Sequence, residues 1–420
     1  MTVILQKPTY AKRVAAPTSK SAAHRALIAA AFADRETQLP MRVSCDDIDA
    51  TARCLAALGV GITKTGDGLT VTPIARDKII KNAVLDCGES GSTLRFMLPV
   101  CAALGANATF LRHGRLPERP LSPLAEELTA HGLTLRENGA KLITEGRITA
   151  GAYSIAANVS SQYITGLLFA LSLFDEPSTL TLTGTVESAP YIDMTTEMLA
   201  RFGAAPTKEK NSFFVSGCAK KPITSPKIIA PEGDFSGAAF PLALGAIGTH
   251  PVTVTGLSLP SLQGDSEILS LLARFGAKVE IGKNEATVSP APLTGIDIDA
   301  KQIPDLVPIL AVVATAATGV THITGAERLR LKESDRLASV TAFLRTLGGD
   351  ITENPDGLTI VGGKPLRGGT VDVCGDHRIA MSAAAAALLS EGTITIPHAQ
   401  CVQKSYPTFF EEAVFAAERE

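Results

Sequence analysis

Residues 327–337, ERLRLKESDRL, carry the densest charge in the chain: Arg328, Arg330, Lys332, Glu333, Asp335 and Arg336. On a helix, Lys332 and Arg336 stand one turn apart on one face, with Glu333 and Leu337 on the neighbouring face. Two cations beside an acid can bind an anion and move a proton, although the same spacing alone is an ordinary ion-pair helix. Other polar groups stand where runs of small and apolar residues begin. TSKSAAHR places Lys20, Ser21 and Arg25 within about one and a half turns of a helix start. Cations there oppose the helix dipole, so they serve stability poorly and anion binding well. GESGSTLR places Gly91 and Arg95 at a second start, where glycine lets backbone approach a ligand closely. NVSSQY offers Ser160, Ser161 and Gln162 at a third; an N-cap accounts for one serine but not for all three residues. Asp305 in IPDLVPIL and Asp376, His377 and Arg378 in CGDHRIAM open two more. An acid such as Asp305 is ordinarily a cap, and Asp234 in PEGDFSGAAF reads as structural for the same reason. Three loops complete the set. LRHGRLPERPLSPL holds Arg112, Arg115 and Arg119 among prolines, either a clamp for carboxylate or phosphate or a solvated loop. ESAPYID holds Ser188 and Tyr191, and VQKSYP holds Lys404.

These side chains need elements to bring them together, and the chain repeats one pattern six times. Buried-helix starts are expected at Ser21, Ser92, Ser161, Ser236, Asp305 and near Asp376, about seventy residues apart. A helix that ends in glycine and runs into a strand recurs with the same period, at Gly59, Gly132, Gly203, Gly276 and Gly348. Glycine there takes the left-handed cap. Each repeat reads as strand, buried helix, strand, amphipathic helix and hairpin, βαβαββ. The sixth is incomplete, because a helix expected from Tyr406 to Arg419 reaches the end with no strand after it. An orphan strand, Val3 to Gln6, opens the chain, and we expect it to complete the sixth repeat. The expected fold is therefore α/β, with two similar lobes of three repeats each. Residues 18–230 form one lobe; residues 1–17 and 231–420 form the other, with crossings near Ala15 to Thr18 and Ser225 to Pro231. If the buried helices of a lobe run parallel, their N-termini share one end, each carrying roughly +0.5 charge. Two lobes facing each other would then focus Lys20, Arg25, Arg119, Lys332, Arg336, Arg378 and Lys404 on one cleft. Asp305 and Glu333 are the acids available there for proton transfer.

Composition excludes several classes. Lys plus Arg number 39 against 42 Asp plus Glu, with no long basic run, which argues against a nucleic-acid partner. The seven cysteines are scattered and show no paired spacing, so a reduced cytoplasm and no zinc site are expected. No stretch is apolar enough for a membrane span, and MTVILQKPTYAKR turns polar too soon for a signal peptide. No nucleophilic triad, metal set or dinucleotide fingerprint is visible, and the Lys20-Ser21 pair lacks the upstream glycines of a P-loop.

In order and spacing, SKSAAHRALI, GESGSTLR, LPERPLSPL, SSQYITGLL, PDLVPILAV, LRLKESDRL and GDHRIAMS resemble the 5-enolpyruvylshikimate-3-phosphate synthase family over essentially the whole chain. The resemblance implies an enolpyruvyl transferase-like inside-out α/β barrel that closes over its substrates. It implies transfer of the carboxyvinyl group of phosphoenolpyruvate to the 5-hydroxyl of shikimate 3-phosphate, in chorismate and aromatic amino acid biosynthesis. No metal or organic cofactor and no nucleic acid or membrane is implied, and a monomer is expected. Carried over by motif, Lys20, Ser21, Arg25, Ser160, Ser161, Gln162, Ser188 and Lys332 would hold shikimate 3-phosphate. Gly91, Arg119, Arg336, Arg378 and Lys404 would hold phosphoenolpyruvate, with Lys20 reaching both. Arg328, where several members carry Asn, joins the substrate-binding set. Asp305 would accept a proton near the 5-hydroxyl, with Glu333 as its acid partner. Thr18-Ser19 replaces a usual Gly-Asp, Glu89 a usual Asn, and Ser92 a common Thr. A carboxylate at Glu89 should weaken anion affinity unless it pairs with an arginine such as Arg119. The nearest rival, the UDP-N-acetylglucosamine enolpyruvyl transferases, usually carries a cysteine acid in the loop matching HGRLPERPL. This loop has none, and the SSQ and KESDR motifs favour the shikimate branch. Intact Asp305, Glu333 and Lys20 argue against an inactive anion-binding protein of the same fold.

Overall fold

Small and apolar runs of this length can only be stable when packed on every side, and the chain divides accordingly around two separate cores. The computed structural model describes residues 1–415 and 418–419. Contacts group the chain into a central lobe, Lys20–Pro231, and a terminal lobe, Met1–Ser19 with Glu232–Glu420.

The central lobe carries α1 (Lys20–Ala31), α2 (Asp46–Ala57), α3 (Gly91–Leu104), α4 (Leu124–Ala130), α5 (Ser161–Leu171) and α6 (Ala189–Arg201). Helices α1, α3 and α5 are buried on nearly every face, whereas α2, α4 and α6 bury one side. α5 lies so close to α3 that a Cβ on Gly166 would collide with the Arg95 carbonyl oxygen and come within 2.9 Å of Pro99 Cγ. The terminal lobe carries α7 (Phe235–Ile247), α8 (Ile268–Phe275), α9 (Val307–Ala316), α10 (Arg336–Thr346), α11 (His377–Ala386) and the single turn α12 (Phe409–Glu412). All six buried helices begin within two residues of the starts expected from sequence. The five glycines after the amphipathic helices lie at positive φ, from +76° at Gly203 to +117° at Gly276, as the left-handed cap requires.

Each repeat builds the same small sheet. In the second, strand Val84–Asp86 runs parallel to Thr109–Leu111, which pairs antiparallel with Lys141–Gly146, and that strand pairs with Leu133–Asn138. The third and fifth repeats copy this order from their own strands. In the fourth, the first strand is Arg13–Ala15, far away in sequence, parallel to Val252–Thr255. The first repeat obtains its parallel neighbour from the far end of the lobe, where Ile228 bridges Gln38. In the sixth, Val3–Leu5 takes the hairpin position and pairs antiparallel with Ile394–Ile396.

Two expectations are corrected. The helix Tyr406 to Arg419 does not form. A 3-10 turn, Ala399–Lys404, and α12 are followed by a strand, Val414–Phe415, paired with Thr9–Tyr10. Tyr406, Phe409 and Phe410 pack edge to face and anchor this end, so burial and strand pairing outweigh helical periodicity. Residues 416 and 417 of that expected helix lie outside the described residues. Nor does one helix carry both Lys332 and Arg336. Glu327–Leu331 is a 3-10 turn, and Asp335 caps α10 by accepting from the Ala338 amide at 3.1 Å, so the helix begins only at Arg336. Among the described residues no helix is long and apolar enough to cross a membrane, and all seven cysteines are free thiols.

Candidate functional site

In the central lobe, buried polar side chains tie the first turns of the helices together. α1 delivers Arg25 into the interior, only 2% exposed. Its guanidinium donates to Thr195 Oγ1 (2.8 Å), Thr165 Oγ1 (3.2 Å) and the backbone oxygens of Tyr191 (2.8 Å) and Ser21 (2.6 Å). All four acceptors are neutral. Burial pulls the Arg25 pKa down to about 10, so the group stays charged at neutral pH and adds positive potential to the interior. A second chain runs from His24 Nδ1 to Thr51 Oγ1 (2.7 Å), to Thr93 Oγ1 (2.8 Å), to Ser90 Oγ (2.9 Å), joining α1, α2 and the cap of α3. Burial pushes the His24 imidazole down to about 3, so it is neutral.

Lys20 opens α1, and its ammonium lies 2.8 Å from Asp47 Oδ2. Asp47 was not singled out in the sequence, where Asp46, Asp47 and Asp49 look like an ordinary acidic first turn of α2. Only its burial separates it from exposed Asp46. Ser160 caps α5 by accepting from the Gln162 amide at 3.3 Å, and Ser161 is buried beside it. The Gln162 amide bridges to α3, donating to Ser92 Oγ (2.9 Å) and accepting from Arg95 Nη1 (2.8 Å). Arg95 and the Tyr163 hydroxyl both donate to the Pro120 carbonyl, which fixes the loop after Arg119. The reason for glycine at Gly91 is local: a Cβ there would lie 2.8 Å from Arg119 Nη1 and 2.9 Å from Arg95 Nη1. Two guanidiniums thus converge on the bare start of α3. Ser188 is buried at the N-cap of α6, at φ +53°.

The three-arginine loop divides. Arg119 is buried at the site. Arg112 instead braces the hairpin, through Glu137 Oε1 (2.7 Å) and the carbonyls of Ala140 and Gly139. Arg115 is exposed and pairs with Glu118 at 3.3 Å. Glu89 is exposed and its carboxylate lies over Gly114.

In the terminal lobe the organising group is Asp305. Its carboxylate does not serve as the cap of α9, whose N-cap position is Leu306. It reaches Arg336 Nη1 (2.7 Å), Arg378 Nη2 (3.1 Å) and Lys332 Nζ (3.7 Å). Arg378 Nη1 also donates to the Asp305 carbonyl at 3.3 Å. Arg336, 1% exposed, additionally binds Asp376 Oδ2 (2.8 Å) and Glu333 Oε2 (2.9 Å). Asp376 in turn caps α11 through the Arg378 amide (3.0 Å) and accepts from Ser334 Oγ (3.1 Å). Burial acts to raise the Asp305 pKa, but Arg378, Lys332 and Arg336 outweigh it and hold the carboxyl well below its ordinary value. Lys332 therefore meets Arg336 on a shared acid rather than on a helix face. Lys404 is buried at the end of its 3-10 turn. Arg328 donates to the Lys301 carbonyl at 2.8 Å. The neighbouring Arg330 takes the ion pairs with Asp335 and Glu353. Among the described residues no group of three or more His, Cys, Asp or Glu is arranged to hold a metal ion.

The two sets differ in electrostatics. The central set has more cations than acids. In the terminal set, Lys332, Arg336 and Arg378 face Asp305, Glu333 and Asp376, so an arriving anion must compete for cations already engaged. Such pairs can exchange partners and move protons, which is the chemistry of an anion-handling acid–base enzyme.

Known proteins resemble this chain over most of its length. A 3-phosphoshikimate 1-carboxyvinyltransferase of Clostridium kluyveri is 39% identical over 403 residues, covering 95% of this chain and 93% of its own. One from Halobacterium salinarum is 36% identical over 409 residues, covering 95% of each. Among solved structures, EPSP synthase from Acinetobacter baumannii superposes with a TM-score of 0.79 at 26% identity, over 98% of this chain and 96% of that one. The enolpyruvyl transferase NikO from Streptomyces tendae shares the fold, with a TM-score of 0.75 at 17% identity over 98% of this chain and 96% of its own. The profile of the EPSP synthase (3-phosphoshikimate 1-carboxyvinyltransferase) family matches residues 6–413, and the chain belongs to that family.

Proposed function

We propose that this protein transfers the carboxyvinyl group of phosphoenolpyruvate to the 5-hydroxyl of shikimate 3-phosphate and releases phosphate, in chorismate and aromatic amino acid biosynthesis. The observation that carries this reading is the run of relatives bearing that enzyme's name over nearly the full chain. The hydroxyl oxygen bonds to C2 of phosphoenolpyruvate while C3 gains a proton, giving a tetrahedral adduct. Loss of a C3 proton and of phosphate restores the double bond. The protein must therefore hold several negative charges and supply both a proton acceptor and a donor.

Lys20, Ser21, Ser160, Ser161, Gln162, Ser188 and Lys332 are assigned to shikimate 3-phosphate. Arg25 joins them through its charge, because four of its five donor hydrogens are already engaged. Gly91, Arg119, Arg336, Arg378 and Lys404 are assigned to phosphoenolpyruvate, and Arg328 to the rim of the substrate set. Asp305 is the proton acceptor and Glu333 its acid partner. Asp47 orients the Lys20 ammonium. In this reading the enzyme is a cytoplasmic monomer.

The deciding assay measures phosphate release from phosphoenolpyruvate with shikimate 3-phosphate, then with UDP-N-acetylglucosamine. Release with the first acceptor only is expected. Release with the second alone would transfer the chain to the rival branch, and release with neither would leave an anion-binding protein.

Gly91 supplies a narrower prediction. Gly91→Ala drives a methyl group against the Arg119 and Arg95 guanidiniums, whose flexible ends can move aside. The fold should survive, while the KM for phosphoenolpyruvate rises about tenfold, the equivalent of roughly one charged hydrogen bond. An unchanged KM in steady-state kinetics would remove Arg119 from phosphoenolpyruvate binding.

A further inference from the structure

A carboxyl group that no motif marks is buried against the start of α7, where the charges of Asp305 and Arg378 act on it. Asp265 lies in the 3-10 turn Gly264–Glu267 and is 1% exposed. Its Oδ2 accepts from the Ser236 hydroxyl in the first turn of α7. Its Oδ1 is buried without a protein hydrogen-bond partner, and so is Nε of Arg378. The turn cannot swing away. Gln263, buried two residues earlier, accepts from the Phe235 amide (2.9 Å) and donates to the Gly233 carbonyl (2.8 Å), pinning it to the start of α7. The charged groups that act on Asp265 are Asp305 before α9, Arg378 on α11 and Asp234 at the N-cap of α7. Burial first, then the charge of Asp305, pushes its carboxyl up to about 7, against the pull of Arg378 and Ser236.

We infer that Asp265 is a positioning residue that sets how much of the Arg378 charge is available to the anionic substrate. Protonated, it leaves the guanidinium to Asp305 and the incoming anion. Ionised, it gives its proton to solvent and draws on the same cation. The inference rests on the assignment of Arg378 to phosphoenolpyruvate.

The test compares Asp265→Asn with the parent enzyme across acid to mildly alkaline pH, in the same buffers, so that ionisation of the substrate itself cancels. The ratio of parent to variant KM for phosphoenolpyruvate is expected to stay near one in acid. It should rise to the order of tenfold on the alkaline side, the effect of one uncompensated charge in a buried cluster. The KM for shikimate 3-phosphate should not follow this pattern. Melting temperature gives a second readout. A carboxyl whose folded pKa is raised contributes stability at low pH that is lost as pH rises from the ordinary value of 3.8 to about 7, so the variant should gain on the parent across that interval and hold the gain at higher pH. Ser236→Ala removes the donor that favours the ionised form and should move the parent inflection to higher pH, which keeps the test decisive if Asp265→Asn does not fold. A KM ratio flat with pH, or an inflection unmoved by Ser236→Ala, overturns the inference. Absence of any phosphate release from the parent with shikimate 3-phosphate instead overturns the functional reading.

Discussion

Replacing Asp305 with Asn is expected to lower kcat by about a hundred- to ten-thousand-fold, the usual range for a positioned proton-transfer group. The argument begins with the grip of Arg336, Arg378 and Lys332 on this carboxylate, at 2.7, 3.1 and 3.7 Å. Those cations keep Asp305 ionised at neutral pH, well below its ordinary pKa. A carboxylate held that low is a weak base. Phosphoenolpyruvate and shikimate 3-phosphate are both anions, and Arg378 and Lys332 are the groups assigned to them. As the substrates draw on these cations, the hold on Asp305 loosens and its basicity rises when a proton must be taken. Asn keeps the shape and can accept hydrogen bonds, but it cannot accept the proton. Turnover should therefore collapse while the KM for phosphoenolpyruvate stays level or falls, because a competing charge has gone. Steady-state kinetics at saturating shikimate 3-phosphate, with circular dichroism to confirm folding, separates the outcomes. A raised KM with kcat retained would make Asp305 a binding residue, and near-normal turnover would remove it from the chemistry.

Much of the fold was legible because its signals are local. A glycine that must adopt positive φ after a helix declares itself in any single repeat, and Gly59, Gly132, Gly203, Gly276 and Gly348 do so with one period. Strand exchange was legible only in part: Val3–Leu5 joins the sixth repeat as its orphan position suggested, but a later strand gave no such sign. Arg13–Ala15 joins the fourth sheet through backbone hydrogen bonds that carry no side-chain code. The C-terminal helix failed for a related reason, since Val414–Phe415 reads equally well as a helix end or as a partner for Thr9–Tyr10. In the site, types and approximate positions were readable, but partners were not. Arg112 and Arg119 look alike among their prolines, and only the hairpin carbonyls that claim Arg112 distinguish them. Asp47 and Asp265 sit in stretches where acids have ordinary explanations, and burial alone sets them apart. Lys332 and Arg336 converge as the helical spacing suggested, yet through Asp305, because the cap at Asp335 starts α10 too late to carry both.

Arg336→Met is expected to destabilise the terminal lobe by about 3–5 kcal/mol, the cost of breaking a buried ion pair from one side. Arg336 is 1% exposed and serves three carboxylates at once, Asp376, Asp305 and Glu333. Burial acts to lower its pKa, but Asp376, Glu333 and Asp305 outweigh that and hold it above the ordinary value, so it is a permanent cation. Methionine fills similar volume and removes all three bonds. In a lobe of this size the loss corresponds to a fall in melting temperature on the order of 10 °C. Lysine at this position keeps the charge but not the planar fork, so Arg336→Lys should recover only part of the loss. The pH dependence has a definite sign. Asp305 has a folded pKa below its unfolded value near 3.8, so its contribution is present above that value and is lost as pH falls through the folded one. Removing Arg336 withdraws one of the cations behind that depression, so the gap between variant and parent should be widest at neutral pH and narrow as the solution is acidified. Thermal unfolding of both proteins across that range checks the prediction. A gap that is small at neutral pH, or constant with pH, would mean that the three carboxylates rearrange around the missing guanidinium, and that Arg336 binds substrate without organising the acids beside it.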